Sequence, residues 1–172
     1  KNLKVQKRSI STIKKSLNEI DNKIKSGTEL VIPLQKELSL LMWKYCGVVK
    51  DSEKLKTGLE KIKKLKSMAK EVEVRVEDGN FQDLVNIFNL DSSIITSEAT
   101  IISALHRKES RGAHQRSDYK NTSVEQNVNY KISLINKELE IEKSKIKKLS
   151  SKLSDVVNSI KKIDDFKNKL LE

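Results

Sequence analysis

The amino-acid sequence predicts a mainly α fold: an antiparallel helical bundle of about three core helices, spectrin-repeat-like, with additional terminal helices and a small β-hairpin. Two observations carry this prediction. The 172 residues include only five glycines and one proline, so few residues interrupt long helices. Apolar residues also recur at helical spacing in most segments, whereas one segment near residue 135 alternates with a period of two. We expect residues 1–172 to form a single helical domain.

The first helix is predicted over residues 3–26 because one apolar seam there has heptad spacing. The seam consists of Ile10, Ile13, Leu17, Ile20 and Ile24. Gly27 suits the residue after the helix end, and Pro33 fits the first turn of a second helix that ends near Gly47. Trp43 lies one position beyond the apolar stripe of the second helix, so we expect it to be largely buried against the third or fourth helix.

Two further core helices are predicted in the middle of the chain. Asp51 and Ser52 offer N-caps for the third helix, whose side chains can accept hydrogen bonds from its first N–H groups. Residues 77–80 form a polar turn cluster, and a fourth helix is predicted from about Phe81 to Glu109. Residues 91–93 are expected to bend or break this helix, because aspartate and serine compete for backbone hydrogen bonds.

The C-terminal part changes period. Residues 127–142 alternate between apolar and polar side chains around Asn136 and Lys137, which predicts a β-hairpin. A two-stranded hairpin is marginal alone, so it must pack on another element. A last helix is predicted over residues 143–172 from a second heptad seam, which Lys167 interrupts. This seam consists of Ile146, Leu149, Leu153, Val156, Ile160, Ile163 and Leu170.

The net charge of +11 lies at the two ends of the chain. Residues 1–26 carry +6 and residues 143–172 carry +5, whereas the segment between them is neutral. A basic surface for nucleic acid, anionic lipid or an acidic partner is one interpretation. Two lysine-rich helices with solvated outer faces are the other, and we favour it because the lysines are spread around the helices. We expect no nucleic-acid partner and no direct membrane insertion, since no apolar run approaches the required ~20 residues.

The residues that carry chemistry are few. The chain has His106, His114 and one thiol, Cys46, but no Gly-rich phosphate loop and no Cys/His pattern with metal spacing. We therefore expect no catalytic residue, no cofactor-binding residue and no metal ligand in this chain. Cys46 beside Tyr45 fits a buried small hydrophobic residue better than a reactive thiol.

The densest polar cluster follows the fourth helix. A helix C-terminus explains Arg107, Lys108 and a left-handed cap at Gly112, but not the other charged residues up to position 118. We therefore predict a docking loop in which arginine side chains donate to carboxylates and backbone carbonyls. Its residues are Arg107, Glu109, Ser110, Arg111, Gly112, His114, Arg116 and Asp118.

Residues 107–114 resemble the Arg-x-Glu-Ser-Arg-Gly-Ala-His signature near the C-terminus of succinate dehydrogenase and fumarate reductase flavoproteins. Residues 41–51 resemble the Met-Trp…Gly-(Val/Ile)-Val-Arg-Asp stretch of the same family, and together the resemblance covers residues 31–120. Lys50 stands where the family usually has Arg, and Lys120 where it often has Pro. The related L-aspartate oxidases usually carry Leu at the position of Ala113, so this alanine favours the succinate/fumarate branch.

The resemblance implies a larger FAD-dependent oxidoreductase of electron transport and the tricarboxylic acid cycle. It would exchange hydride and protons between a dicarboxylate and flavin, and electrons with an iron–sulfur partner subunit. Its FAD-binding and capping domains are expected upstream of Lys1, and this chain would be the non-catalytic C-terminal domain packed on the FAD domain. The docking loop would lie at that junction, with Arg111 and His114 facing water in the isolated chain.

The resemblance also implies a cytoplasmic location, with any membrane association made through the parent complex. Three alternatives remain open at this point. The chain is a domain of an L-aspartate oxidase, or a basic coiled-coil-like interaction module that binds a partner protein or an anionic surface. An independent enzyme is the weakest alternative, because candidate catalytic residues are so few.

Overall fold

Three long helices form the core of the chain in the computed structural model, which describes residues 9–24, 26–76, 81–146, 150 and 153–160. The core helices are α2 (Val31–Cys46), α3 (Ser52–Met68) and α4 (Gln82–His106), and α1 (Ile10–Asp21) precedes them. A 3₁₀ turn at Ala69–Glu71 follows α3, and residues 153–160 are helical. Because α2, α3 and α4 pack on one another, the predicted mainly α bundle is confirmed.

Four short or medium strands complete the architecture. They are β1 (Val49–Lys50), β2 (Gln115–Arg116), β3 (Val128–Ile135) and β4 (Glu138–Lys145). Strands β1 and β2 form a parallel pair that joins the start of α3 to the loop after α4. Strands β3 and β4 form the predicted antiparallel hairpin, which is longer than predicted and contacts α4. Asn136 and Lys137 make its two-residue turn, both at positive φ.

The core is aliphatic, as the low aromatic content predicts. Its buried members on the three long helices are Val31, Leu34, Leu38, Leu55, Ile62, Leu65, Ile87, Leu90, Ile94, Ile101 and Ala104. Asp51 caps α3 as predicted, because its Oδ1 accepts the N–H of Lys54 at 2.8 Å and this bond lowers the pKa of the Asp51 carboxyl. Pro33 lies in the first turn of α2, also as predicted.

The predicted break at residues 91–93 is wrong, since α4 runs without interruption from Gln82 to His106. Hydroxyl groups along this helix donate to the carbonyl four residues earlier, as Ser92 does to Phe88 at 2.9 Å. Thr96 donates to Ser92 in the same way, at 2.8 Å. These hydroxyl groups therefore make their hydrogen bonds within the helix and do not replace its backbone hydrogen bonds. The helix also ends at His106 rather than at Glu109.

The predicted terminal helices are corrected where the structure describes them. Helix α1 ends at Asp21 rather than at residue 26, and none of its residues is buried. Residues 3–8 of the predicted first helix lie outside the described residues, as does the turn cluster at 77–80. At the other end, residues 143–145 belong to β4, and 153–160 are helical. Leu153, Val156 and Ile160 of the predicted seam lie in this helical segment, which confirms the predicted helix there. Leu149, Ile163 and Leu170 lie outside the described residues.

Trp43 is exposed over 74% of its surface, so the prediction that it is buried is wrong. A helix turns by about 100° per residue, and Trp43 comes nine positions after the buried Leu34, half a turn out of phase. The buried face of α2 continues through the partly buried Leu41 and Met42, one position short of Trp43. The sequence pattern placed Trp43 at the edge of that face, whereas the bundle covers only its centre.

Gly27 is needed where two segments meet rather than at a helix end. The segment around Glu29 pairs in parallel with Val72, and the N–H groups of Thr28 and Glu29 both donate to the carbonyl of Glu71. A Cβ added at Gly27 would lie 2.3 Å from that carbonyl oxygen and 2.7 Å from the N–H nitrogen of Glu73. Only glycine therefore allows this close approach of two backbones.

We expect Gly27→Ala to lower the free energy of unfolding by about 1–3 kcal/mol, because the methyl group forces the two segments apart. Chemical denaturation of the chain measures this difference. The adjacent and exposed Ser26→Ala is the control and should change the free energy by less than about 0.5 kcal/mol. Equal stability of the Gly27→Ala variant and the unaltered chain would contradict the assigned close approach.

Candidate functional site: the loop after α4

A tight turn lies at the centre of the predicted docking loop. The N–H of Arg111 donates to the carbonyl of His114 at 2.9 Å, and the N–H of His114 donates back to Arg111 at 3.0 Å. Gly112 takes φ +55 in this turn, in the left-handed region that favours glycine. The positive φ agrees with a glycine-specific position, but Gly112 belongs to this turn and does not cap α4, whose C-cap is Arg107.

Glu109 forms the first of two buried ionic clusters. Its side chain is fully buried, and its Oε1 accepts from Arg107 at 2.7 Å and from Arg111 at 2.9 Å. Its Oε2 accepts from Arg111 at 3.0 Å and from the backbone N–H of Ser123 at 2.9 Å. The arginine and backbone donors lower the pKa of Glu109 to about 2, with the Arg111 bond as the largest cause. Glu109 is therefore ionised at neutral pH.

Arg116 forms the second cluster, and its side chain is also fully buried. Its Nε and Nη2 donate to the two oxygens of Asp118, at 2.8 and 2.7 Å, which is a bidentate pair. Nη2 also donates to the hydroxyl of Ser52 at 2.7 Å, and Nη1 donates to the carbonyls of Ala104 at 2.5 Å and Arg107 at 3.3 Å. The Arg116 bond is the largest cause of the strongly lowered pKa of the Asp118 carboxyl.

The Arg116–Asp118 pair joins the ends of two helices. Arg116 meets the last carbonyls of α4, where the helix dipole is negative. Asp118 accepts the backbone N–H of Ser52 at 2.9 Å, at the positive start of α3. Each charge therefore lies at the helix end of opposite sign, and the pair fixes α3 and α4 relative to each other.

The remaining predicted loop residues also bond within the chain. The hydroxyl of Ser110 donates to the carbonyl of Tyr119 at 2.8 Å and accepts the N–H of Arg116 at 2.8 Å. Arg107 donates to the carbonyls of Gln126 at 3.1 Å and Val128 at 2.8 Å, which attaches the hairpin to the end of α4.

His114 is half-buried, and its Nε2 lies 3.1 Å from the carbonyl of Arg107. Since a carbonyl only accepts, this nitrogen carries the proton. Burial is the largest cause of the lowered pKa of His114, and the nearby cations Lys50, Arg116 and Arg107 lower it further. The expectation that Arg111 faces water is met in part, because its side chain is 43% exposed although its guanidinium also pairs with the buried Glu109. The same expectation is wrong for His114, which lies partly inside the loop.

The structure brings all eight predicted loop residues together and adds partners that the sequence did not identify. Ser52 and Ser123 supply a hydroxyl and an N–H to the two buried ionic clusters, and both are distant in sequence from the charges they contact. The one local signal was the position of Ser52 beside the N-cap Asp51. Within the described residues, no buried side-chain nitrogen or oxygen lacks a hydrogen-bond partner.

The three arginines of the loop are paired with its two carboxylates. Burial raises the pKa of the Cys46 thiol, although Lys50 partly offsets this, which disfavours the reactive thiolate. The part of the chain that the structure describes contains no group of three or more His, Cys, Asp or Glu residues placed to hold a metal ion. No helix among the described residues is both long and apolar enough to cross a bilayer.

The described part of the chain is a helical bundle whose α3 and α4 are joined at one end by a buried arginine–carboxylate loop. Residues 35–164 match the family model described as "Fumarate reductase flavoprotein C-term". The chain therefore belongs to the family of fumarate reductase flavoprotein C-terminal domains, which confirms the resemblance found in the sequence.

Several curated proteins are similar in sequence. An uncharacterized FAD-dependent oxidoreductase of Methanocaldococcus jannaschii is 36% identical over 113 residues, which cover 66% of this chain and 20% of that protein. The fumarate reductase flavoprotein subunit of Serratia is 34% identical, covering 54% of this chain and 16% of that subunit. The succinate dehydrogenase flavoprotein subunit of Coxiella burnetii is 35% identical, covering 51% and 15%. The chain thus spans about a fifth or less of the length of these relatives.

Solved structures share the fold. Sdh1 of Mycobacterium smegmatis aligns with a TM-score of 0.76 at 18% identity, covering 81% of this chain and 24% of that one. FrdA of the E. coli quinol fumarate reductase aligns with a TM-score of 0.75 at 22% identity, covering 84% and 26%. The adenylylsulfate reductase of Archaeoglobus fulgidus aligns less closely, with a TM-score of 0.61 over 73% of this chain and 21% of that one, at 21% identity. At these identities the likeness establishes the fold alone.

Proposed function

We propose that this chain is the non-catalytic C-terminal domain of an FAD-dependent succinate dehydrogenase/fumarate reductase flavoprotein subunit, and that it packs on the FAD-binding domain of that protein. The observation that carries the proposal is the family match over residues 35–164, which includes the whole loop after α4. The FAD-binding and capping domains belong to the part of the parent protein outside this chain, in line with the small fraction of its relatives that the chain spans.

FAD does not fit the residues of this chain. The sequence has no Gly-rich phosphate loop, and Arg107, Arg111 and Arg116 are already bonded to the carboxylates of Glu109 and Asp118. We therefore assign flavin binding and substrate chemistry to the upstream part of the parent. In this domain the role of the loop is to hold α3, α4 and the hairpin in one arrangement, with its exposed edge at the domain junction.

Succinate or fumarate is the proposed substrate of the parent, and L-aspartate is the alternative. An L-aspartate oxidase of Acinetobacter baylyi is 33% identical over 101 residues, so that activity belongs to the same group of relatives. Ala113 favours the succinate/fumarate branch. We further propose an iron–sulfur subunit as electron partner and a cytoplasmic location with membrane association through the complex. No nucleic-acid partner is proposed, because the positive charge is divided between the two ends of the chain.

The full-length parent tests this proposal. We expect it to retain FAD through purification and to turn over succinate or fumarate, but not L-aspartate. The 172-residue chain, assayed in parallel as the control, should retain no flavin and turn over none of the three substrates. Turnover of L-aspartate alone would support the alternative, and stoichiometric flavin on the isolated chain would contradict the assignment of FAD to the upstream part.

One observation favours a second, additional role in binding a partner. The apolar seam of α1 is exposed at Ile10, Ile13 and Leu17, by 73%, 49% and 54% respectively, and the segment that carries it is strongly basic. An acidic partner helix or an anionic surface would cover such a seam. This role is compatible with a domain of the flavoprotein and does not replace it.

A further inference from the structure

Four large apolar side chains lie exposed between residues 40 and 49. Leu40 is 70% exposed, Trp43 74%, Val48 68% and Val49 58%. Single exposed apolar residues are ordinary on protein surfaces, but a cluster that includes Trp is typical of an interaction site. We name these four residues the Trp43 surface.

The four residues lie in the C-terminal half of α2 and directly after it. Leu40 and Trp43 are three positions apart on α2 and therefore share a face of that helix. Gly47 follows on the same face as the C-cap and has no side chain to cover Trp43. Val48 and Val49 come directly after it, and Val49 belongs to β1. The core of the chain does not use this face, because the buried residues of α2 lie on the opposite side.

The Trp43 surface continues into the loop after α4. Since β1 pairs in parallel with β2, Val49 lies beside Gln115. Gln115 in turn donates from its side chain to the carbonyl of Gly112 at 2.7 Å, at the exposed turn of the loop. The buried polar groups of the loop have partners within the chain, so a second domain would contact its exposed residues, among them 111–113 and Gln115.

The charges around the surface are mostly positive, although the exposed Glu37 lies one helical turn before Leu40 on α2. Between residues 40 and 50 the charged side chains are Lys44 and Lys50, and Arg111 adds a partly exposed guanidinium on the loop edge. The complementary surface is therefore apolar at its centre and acidic at its rim.

We propose that the Trp43 surface, rather than the buried clusters of the loop, docks this domain on the FAD-binding domain of its parent, with Trp43 as the central anchor. This inference rests on the proposed function. The curated relatives are five or more times as long as the part that this chain matches. The rest of the parent is therefore large enough to cover the four residues of the Trp43 surface. The loop clusters then set the shape of the docking edge, and the apolar side chains supply the contact energy.

Thermal unfolding of the full-length parent carrying Trp43→Glu or the milder Trp43→Ala tests the proposal. Truncating a buried aromatic anchor weakens association by about tenfold or more. We expect both variants to lose coupled unfolding, so that this domain melts separately at the temperature of the isolated 172-residue chain, and to retain less flavin. Val85→Glu, a 50% exposed apolar position on α4, is the matched control and should leave the coupled transition unchanged. In the isolated chain, Trp43→Ala should leave the melting temperature unchanged, because Trp43 is exposed there.

The outcomes separate this inference from the proposed function. A parent that binds FAD and oxidises succinate, but unfolds identically with and without Trp43→Ala, overturns the docking surface and leaves the proposed function intact. A change from dimer to monomer with coupled unfolding preserved also overturns it, because the surface then binds a second copy. A parent that holds no flavin and has no activity contradicts the proposed function, and with it the FAD-binding domain as the docking partner.

Discussion

Replacing Arg116 by alanine is expected to destabilise the chain by about 3–5 kcal/mol, which is a large part of the stability of a domain of this size. The substitution removes five hydrogen bonds from a fully buried guanidinium. It leaves the Asp118 carboxylate without its counter-charge and the carbonyl of Ala104 without its donor, at the junction of α3 and α4. Equilibrium denaturation at neutral pH measures the loss.

Two further variants sharpen this experiment. Arg116→Lys keeps the positive charge but not the planar fork, so it should recover only part of the stability. Arg75→Ala removes an arginine from an ion pair with Glu73 in which the arginine side chain is 63% exposed, and it should cost less than about 1 kcal/mol. If Arg116→Ala cost no more than Arg75→Ala, the Arg116 cluster would not hold the two helices together.

The helices and the hairpin were predictable because their signals are local. The apolar stripes of α2, α3 and α4 identify the core, and Asp51 marks the start of α3 by its own hydrogen bond to Lys54. Alternation on both sides of Asn136 and Lys137 identifies the hairpin, whose turn needs two residues at positive φ. Each of these features depends on neighbours a few residues away.

The features that sequence analysis missed depend on distant partners. Ser52 and Asp118 are 66 positions apart, and nothing in either segment indicates that they share a hydrogen bond. Gly27 resembles a helix stop until the backbone of residues 71–73 is placed against it. Trp43 was assigned to the core from the edge of an apolar stripe, whereas the width of the buried face is set by how the neighbouring helices pack.

The candidate loop was predictable in composition but not in its bonding. The sequence identified eight residues and the kind of bond they make, arginine to carboxylate and to carbonyl. It placed the partners of those bonds in another domain, whereas Glu109 and Arg116 find theirs within the chain. Many charged residues in a short loop therefore indicate ion pairs within the loop rather than contacts with another domain.

Glu109→Gln is expected to remove most of the acid sensitivity that the first ionic cluster contributes. The pKa of Glu109 falls from its ordinary 4.5 to about 2 in the folded chain, so the unfolded chain binds the proton more tightly. The resulting stability is fully present above pH 4.5 and is lost as pH falls towards 2. A pKa difference of this size corresponds to about 3 kcal/mol of folding stability at neutral pH. Glutamine lacks this stabilisation because its amide carries no charge to pair with Arg107 and Arg111.

The measurement is the free energy of unfolding from pH 7 down to pH 2 for the unaltered chain and for Glu109→Gln. The two curves should lie about 3 kcal/mol apart at pH 7 and converge below pH 4.5, because protonation of Glu109 removes the same interaction that the substitution removes. Asp118 also has a lowered pKa, so both curves should still fall at low pH. Glu37→Gln, on the exposed side of α2, is the control and should change the free energy at pH 7 by less than about 0.5 kcal/mol. Parallel curves that never converge would mean that the substitution acts through packing rather than through the charge of Glu109.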